Sequence, residues 1–250
     1  MVLLLRIFVT FFFIFYVAKA QNEQFENKTF ISKNFDLNYR YFKPKNKEER
    51  LPLVLFLHGA GERGMDNEKN LKYISHLASD DFQKDFPCYV LVPQCPAGMK
   101  WVNVEWTLKS HRIPLISSPL KATLELIHKI IQVDKIDTQR IYVVGLSMGG
   151  FGVWDILCRE PGLFAAAIPI CGGGDENQAN LIKDIPIWAF HGGKDKVVLP
   201  SRSENMVQAI QKLNGQAKIT IYPEQGHHVW EIVLNNREVW SWLFQQTKKL

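Results

Sequence analysis

The chain has 250 residues, 46% of them hydrophobic and 12% aromatic, which suits one enzyme-sized domain with a large core and excludes a disordered chain. Its formal net charge of +5 is dispersed, with basic residues gathered only at Lys248 and Lys249 and over 43–50, where Glu48 and Glu49 dilute them. No basic stripe interleaves with aromatic side chains, so a nucleic-acid partner is not expected.

Residues 1–20 read as a separate segment. Arg6 precedes an apolar run over 7–17, and Ala18-Lys19-Ala20 gives the A-x-A form of a cleaved signal peptide. The rival reading, an N-terminal membrane anchor, is interrupted by Arg6. The expectation is cleavage near Gln21, a mature domain over 21–250, a secreted or periplasmic location and no stable membrane span after cleavage. No cysteine follows the cleavage site, which argues against a lipid anchor. In an oxidising compartment Cys88, Cys95, Cys158 and Cys171 permit three pairings. Cys88 with Cys95 is the most local of these, and free buried thiols are the alternative. None is spaced as a zinc pair, and no metal or cofactor is expected.

Along the mature chain, residues 27–42 read as a leading hairpin. Short apolar runs follow at 53–57, 88–92, 140–145, 165–170, 185–190 and 217–222, and their Gly and Pro boundaries mark buried parallel strands. Helical patterns separate them. Over 119–133, Leu120, Leu124, Ile127, Ile130 and Ile131 share one face, with Ser118 as the N-cap. The others lie at 149–159, 201–213 and 229–244. This alternation predicts an α/β single domain built on a doubly wound, mostly parallel sheet with helices on both faces.

One strand-to-helix junction carries chemistry. Gly145-Leu146-Ser147-Met148-Gly149 matches G-x-S-x-G, in which a sharp turn lifts a serine above the sheet and glycines avoid clashes around it. A serine hydroxyl needs a base and a group to orient that base. In this arrangement the chain order is Ser, acid, His. Asp195, just beyond the run at 185–190, is the best acid; Asp175 follows the preceding strand and Asp184 lies at the wrong end of its own. His227, after the run at 217–222, is the preferred base, with His228 as its neighbour and rival. His191 precedes the acid and is expected to pack beneath the loop. The segment His58-Gly59-Ala60-Gly61 follows the first strand, so the Ala60 N–H and the Met148 N–H are the expected oxyanion donors. Trp101, Trp106 and His111 fall in a long connection. The two tryptophans either form an aromatic wall for substrate or lie buried under that loop.

Several segments together resemble secreted α/β-hydrolases of the carboxylesterase and predicted-peptidase group, related to feruloyl esterases and polyhydroxybutyrate-depolymerase-like hydrolases. They are Leu57-His-Gly-Ala-Gly-Glu-Arg-Gly64, Ile141-Tyr-Val-Val-Gly-Leu-Ser-Met-Gly-Gly-Phe-Gly-Val-Trp154, Phe164-Ala-Ala-Ala-Ile-Pro-Ile-Cys-Gly-Gly-Gly-Asp175, Ile187-Trp-Ala-Phe-His-Gly-Gly-Lys-Asp195 and Gly226-His-His-Val-Trp230. The resemblance implies an α/β-hydrolase fold with Ser147 as nucleophile, Asp195 as acid and His227 as base; His228 departs from the acidic or small residue common at that position. It implies cleavage of a small-molecule or polysaccharide ester, such as acyl groups on plant polysaccharide or small aryl esters. Peptidases of related fold carry a propeller domain that this chain has no room for, which favours esters. A short-peptide peptidase and a non-catalytic binding module are the rival readings. The acyl and alcohol parts of the substrate, the disulfide pairing and the oligomeric state are not set by the sequence.

Overall fold

The strands are β1 (Glu26–Ile31), β2 (Asp36–Phe42), β3 (Leu51–Leu57), β4 (Tyr89–Pro93), β5 (Ile136–Leu146), β6 (Ala166–Ile170), β7 (Ile187–Gly192) and β8 (Ala217–Tyr222). In β3, Leu53, Leu55 and Leu57 face one side of the sheet while Val54 and Phe56 face the other, and all are fully buried. A strand apolar on both faces must be covered on both, which is the condition of a parallel sheet. The computed structural model, which describes residues 21–33, 35–45 and 48–248, meets it with one eight-stranded sheet. The order is β1-β2-β4-β3-β5-β6-β7-β8. β2 pairs antiparallel with β1 and with β4, and every other pairing is parallel. The expected hairpin thus becomes an edge, running in register from Glu26 opposite Tyr41 to Ile31 opposite Asp36.

Helices α1 (Asp80–Asp85), α2 (Ser118–Val133), α3 (Met148–Arg159), α4 (Ala179–Ile182), α5 (Ser201–Gln211), α6 (Trp230–Leu234) and α7 (Arg237–Phe244) cover the two faces. α2 to α5 pack on the side of Leu55 and Val143, where Leu120, Trp154 and Ile210 are sealed from solvent. α1, α6 and α7 pack on the side of Phe56 and Val144 with Phe82, Trp240 and Leu243. Among the described residues no helix is long and apolar enough to cross a membrane. The expected leader, residues 1–20, lies outside the described residues.

Two local expectations need correction, and one open alternative is decided. Ser117, not Ser118, caps α2: its Oγ accepts from the Leu120 N–H at 3.3 Å. That shift seats Pro119 in the first turn, where a missing N–H costs nothing. The pattern over 229–244 is broken at Asn235 and Asn236, because the Asn236 side chain accepts from the Glu238 N–H at 2.9 Å and starts a new helix. All four cysteines are free thiols. Cys88 and Cys95 flank β4, and an extended strand rising roughly 3.3 Å per residue holds them too far apart to bridge.

The nucleophile turn and the end of β3 meet without side chains between them. A Cβ on Gly149 would stand 1.8 Å from the Leu57 carbonyl oxygen, whereas one on Gly61 would meet nothing within 4 Å. Gly149→Ala should therefore lose at least about 2 kcal/mol of stability in urea unfolding, and Gly61→Ala should stay within about 0.5 kcal/mol of the parent.

Candidate active site

β5 ends at Leu146, and Ser147 turns the chain into α3 with φ 52° and ψ −117°. A non-glycine residue held there stores about 1–3 kcal/mol of strain. Two bonds hold it: the Ser147 N–H donates to the Ile170 carbonyl at 2.8 Å, and its carbonyl accepts from the Phe151 N–H at 3.1 Å. A Cβ on Gly145 would come within 2.5 Å of the Gly149 carbonyl oxygen, so the motif's glycines are required by contact.

The Ser147 hydroxyl lies 2.8 Å from His227 Nε2, and His227 Nδ1 lies 2.6 Å from Asp195 Oδ2. Because Asp195 can only accept when ionised, Nδ1 carries the ring proton and Nε2 accepts from the serine. Asp195 Oδ1 takes the N–H groups of Val197 and Val198 at 2.8 and 3.0 Å. Burial alone would raise the Asp195 carboxyl, but donors from His191, His227 and Val198 overcome it and hold the group well below its ordinary value. The acid and base loops are also joined directly, through Gly193 N–H to Tyr222 O and Lys194 N–H to Gln225 O, each at 2.8 Å. His228 is exposed, its ring tilted over Trp230 at 4.5 Å. Asp184 is exposed, and Asp175 is buried as a cap whose Oδ2 accepts from the Ile113 N–H at 2.9 Å.

The loop after β3 is fixed from beneath. His58 is fully buried; its Nε2 accepts from the Cys95 N–H at 2.9 Å, so its Nδ1–H faces the Gly59 carbonyl at 2.7 Å. Burial pushes the His58 imidazole down to about 4. The Ala60 carbonyl accepts from Arg63 Nε at 2.8 Å. Among the described residues, neither the Ala60 N–H nor the Met148 N–H has an acceptor within the protein. Met148 opens α3, where an N–H lacks a preceding turn.

Trp101 corrects an expectation. It is fully buried, and its Nε1–H donates to the His58 carbonyl at 3.0 Å, so it forms the floor of the glycine loop rather than a wall facing substrate. Trp106 is half-buried, with the Lys100 ammonium 4.7 Å from its ring. Sequence reasoning missed Arg202. This fully buried cation donates to the Leu108 carbonyl at 2.9 Å, contacts His111 Nδ1 and lies over the Phe151 ring. Nothing in the helical pattern of α5 distinguishes it from a surface arginine. Cys171 was also missed; its thiol, pushed up to about 12 by burial, donates to the His227 carbonyl at 3.3 Å. Cys171, His191 and Asp195 bring three possible ligand atoms within 4.8 Å of one another, and each is already engaged in these hydrogen bonds.

A solved structure described as a thermostable esterase superposes with a TM-score of 0.85 at 38% identity over 92% of this chain. The fold is that of the α/β-hydrolases. The model of the Dienelactone hydrolase family matches residues 108–231, a segment that holds Ser147, Asp195 and His227. A probable carboxylesterase of Oryza sativa subsp. japonica is 24% identical over 203 residues, covering 75% of each chain. A bifunctional acetylxylan esterase/xylanase of Neocallimastix patriciarum is 24% identical over 157 residues, 63% of this chain. The chain spans 21% of that Neocallimastix patriciarum protein and 64% of the thermostable esterase chain.

One buried and one half-buried imidazole give the protein a pH signature. His58 and His111 both titrate near 4, chiefly through burial, with the Arg202 charge adding to the effect at His111. A base whose folded value is depressed stabilises fully above its ordinary 6.5 and loses that contribution as pH falls toward about 4. Urea-unfolding stability should decline across this window, by up to about 1.4 kcal/mol per pH unit for one fully buried histidine. His111→Asn should decline less steeply. The Asp195 contribution is complete above the ordinary carboxylate value of 3.8 and is lost only at more acid pH.

Proposed function

We propose that the chain is a serine hydrolase that cleaves carboxylic esters through an acyl-enzyme. The reading rests on the unbroken hydrogen-bonded line from the Ser147 hydroxyl through His227 to Asp195, at 2.8 and 2.6 Å. In it, Ser147 Oγ attacks the ester carbonyl carbon while His227 Nε2 takes the hydroxyl proton. Asp195 keeps the imidazole in the required tautomer and stabilises the imidazolium. The tetrahedral oxyanion is met by the unengaged Ala60 and Met148 N–H groups, which are prefixed donors of the kind such charge needs. His227 then hands its proton to the departing alkoxide and the alcohol leaves. Water, deprotonated by the same imidazole, releases the acid and restores Ser147.

The substrate is a small-molecule or polysaccharide ester, with acyl groups on plant polysaccharide favoured. The similarity to the acetylxylan esterase/xylanase of Neocallimastix patriciarum supports that choice. Trp106, half-buried beside Lys100, is the remaining aromatic candidate for the substrate wall. Export to a secreted or periplasmic location belongs to the same reading and is supported by Arg6, the run over 7–17 and Ala18-Lys19-Ala20.

Ser147→Ala should reduce p-nitrophenyl acetate turnover by at least about 10⁴-fold and abolish fluorophosphonate labelling without unfolding the protein. Unchanged turnover in the folded variant would end the proposal. A panel of acetyl, feruloyl and longer-chain esters ranks the acyl groups. Amine release from a peptide panel at higher kcat/KM than from any ester would transfer the reading to a peptidase.

A further inference from the structure

A second histidine stands on the acid. His191, in β7, is fully buried, and its Nε2 faces two acceptors: Asp195 Oδ2 at 3.1 Å and the Val198 carbonyl at 3.0 Å. With only acceptors before it, Nε2 carries a proton and donates. Its Nδ1 lies 2.8 Å from Ser203 Oγ, which also meets the Gly172 carbonyl at 2.9 Å. Asp195 Oδ2 therefore accepts from two imidazoles, from His227 at 2.6 Å and from His191 at 3.1 Å. A carboxylate oxygen has two lone pairs, and here both are filled by rings.

We propose that His191 is a positioning residue that aims Asp195 Oδ2 at His227 and sets the basicity of His227 by taking a share of the carboxylate's charge. This rests on the reading of Ser147, His227 and Asp195 as the catalytic set. A side chain kept only for volume needs no polar partners, yet both nitrogens of His191 have them. Those partners lie on the acid loop, the approach to α5 and, through Ser203, the glycine loop after β6. The titratable groups around His191 are Asp195 and the Cys171 thiol. Those around His227 are Ser147, Asp195, the Cys171 thiol against its carbonyl, and His228, whose ring is 6.0 Å away, with Glu62 beyond His228. The Cys171 thiol is the other donor beside Asp195, but it is engaged with the His227 carbonyl at 3.3 Å and is a weaker donor than the His191 N–H. Without the His191 N–H, more negative charge faces His227, the imidazolium is favoured, and the apparent pKa of His227 rises.

The test pairs His191→Gln, which keeps an N–H near the place of Nε2, with His191→Phe, which keeps a ring and no donor. For H191F, the acid limb of the kcat/KM profile against p-nitrophenyl acetate should move about half a pH unit or more to higher pH, with kcat down about 10- to 100-fold. For H191Q the limb should stay near the parent and kcat should recover to within about fivefold. An unmoved limb in H191F, with only Tm or kcat reduced, assigns His191 to packing and overturns the proposal. If H191F does not fold, Ser203→Ala decides: removing the anchor of Nδ1 should give a smaller shift of the same sign, and no shift overturns the proposal. NMR titration of His227 in ¹⁵N-labelled protein reads the same shift with no substrate present. A shift there, alongside an S147A variant with parental turnover, would retain the positioning role and discard the acyl-transfer reading.

Discussion

A carboxylate sealed from water is costly unless every lone pair is met, and the end of this sheet is organised around meeting those of Asp195. One oxygen takes two backbone N–H groups and so defines the turn that leaves β7. The other takes two imidazoles and so fixes the loop that leaves β8 relative to β7 itself. The backbone repeats the constraint: a Cβ on Gly192 would stand 1.9 Å from the Gly226 carbonyl oxygen, leaving the two loops no room to separate a side chain. Ser147 is placed by different means, through the strained turn after β5 and its bond to β6. The hydrogen-bonded line between them closes because two independent pieces of backbone geometry agree.

The long connection over 101–117 follows the same logic of satisfying backbone groups with side chains. Ser117 Oγ donates to the Trp101 carbonyl at 2.6 Å while capping α2. Asp175 holds the Ile113 N–H, and Arg202 holds the Leu108 carbonyl. Its own end and two elements far along the chain thereby pin one irregular segment beside α3.

Much of this was legible because its cause is local. The β3 run is apolar at every position, which only a doubly covered strand tolerates, and the glycines around Ser147 report a turn with no space for side chains. That Asp195 and His227 meet is legible from strand ends and chain order, since a parallel sheet delivers all such ends to one edge. What escaped depended on partners remote in sequence or on competition between neighbours. Ser117 took the cap because of Pro119, and Asn236 split a continuous helical pattern with its own side chain. Trp101 could be wall or floor until the His58 carbonyl, in need of a donor, placed it. His191 was read as packing beneath the loop, and it is buried there. That its Nε2 shares an oxygen with His227 is a fact of three-dimensional geometry that no periodicity records.

The indole beneath the glycine loop belongs to two systems at once. Trp101 fills part of the apolar core, and its ring N–H polarises the carbonyl immediately before Gly59. The glycine loop is consequently set when the chain folds, so an arriving guest finds its orientation settled and need not induce it. Core stability and the orientation of the glycine loop thus depend on the same side chain, and a perturbation of that indole is felt by both.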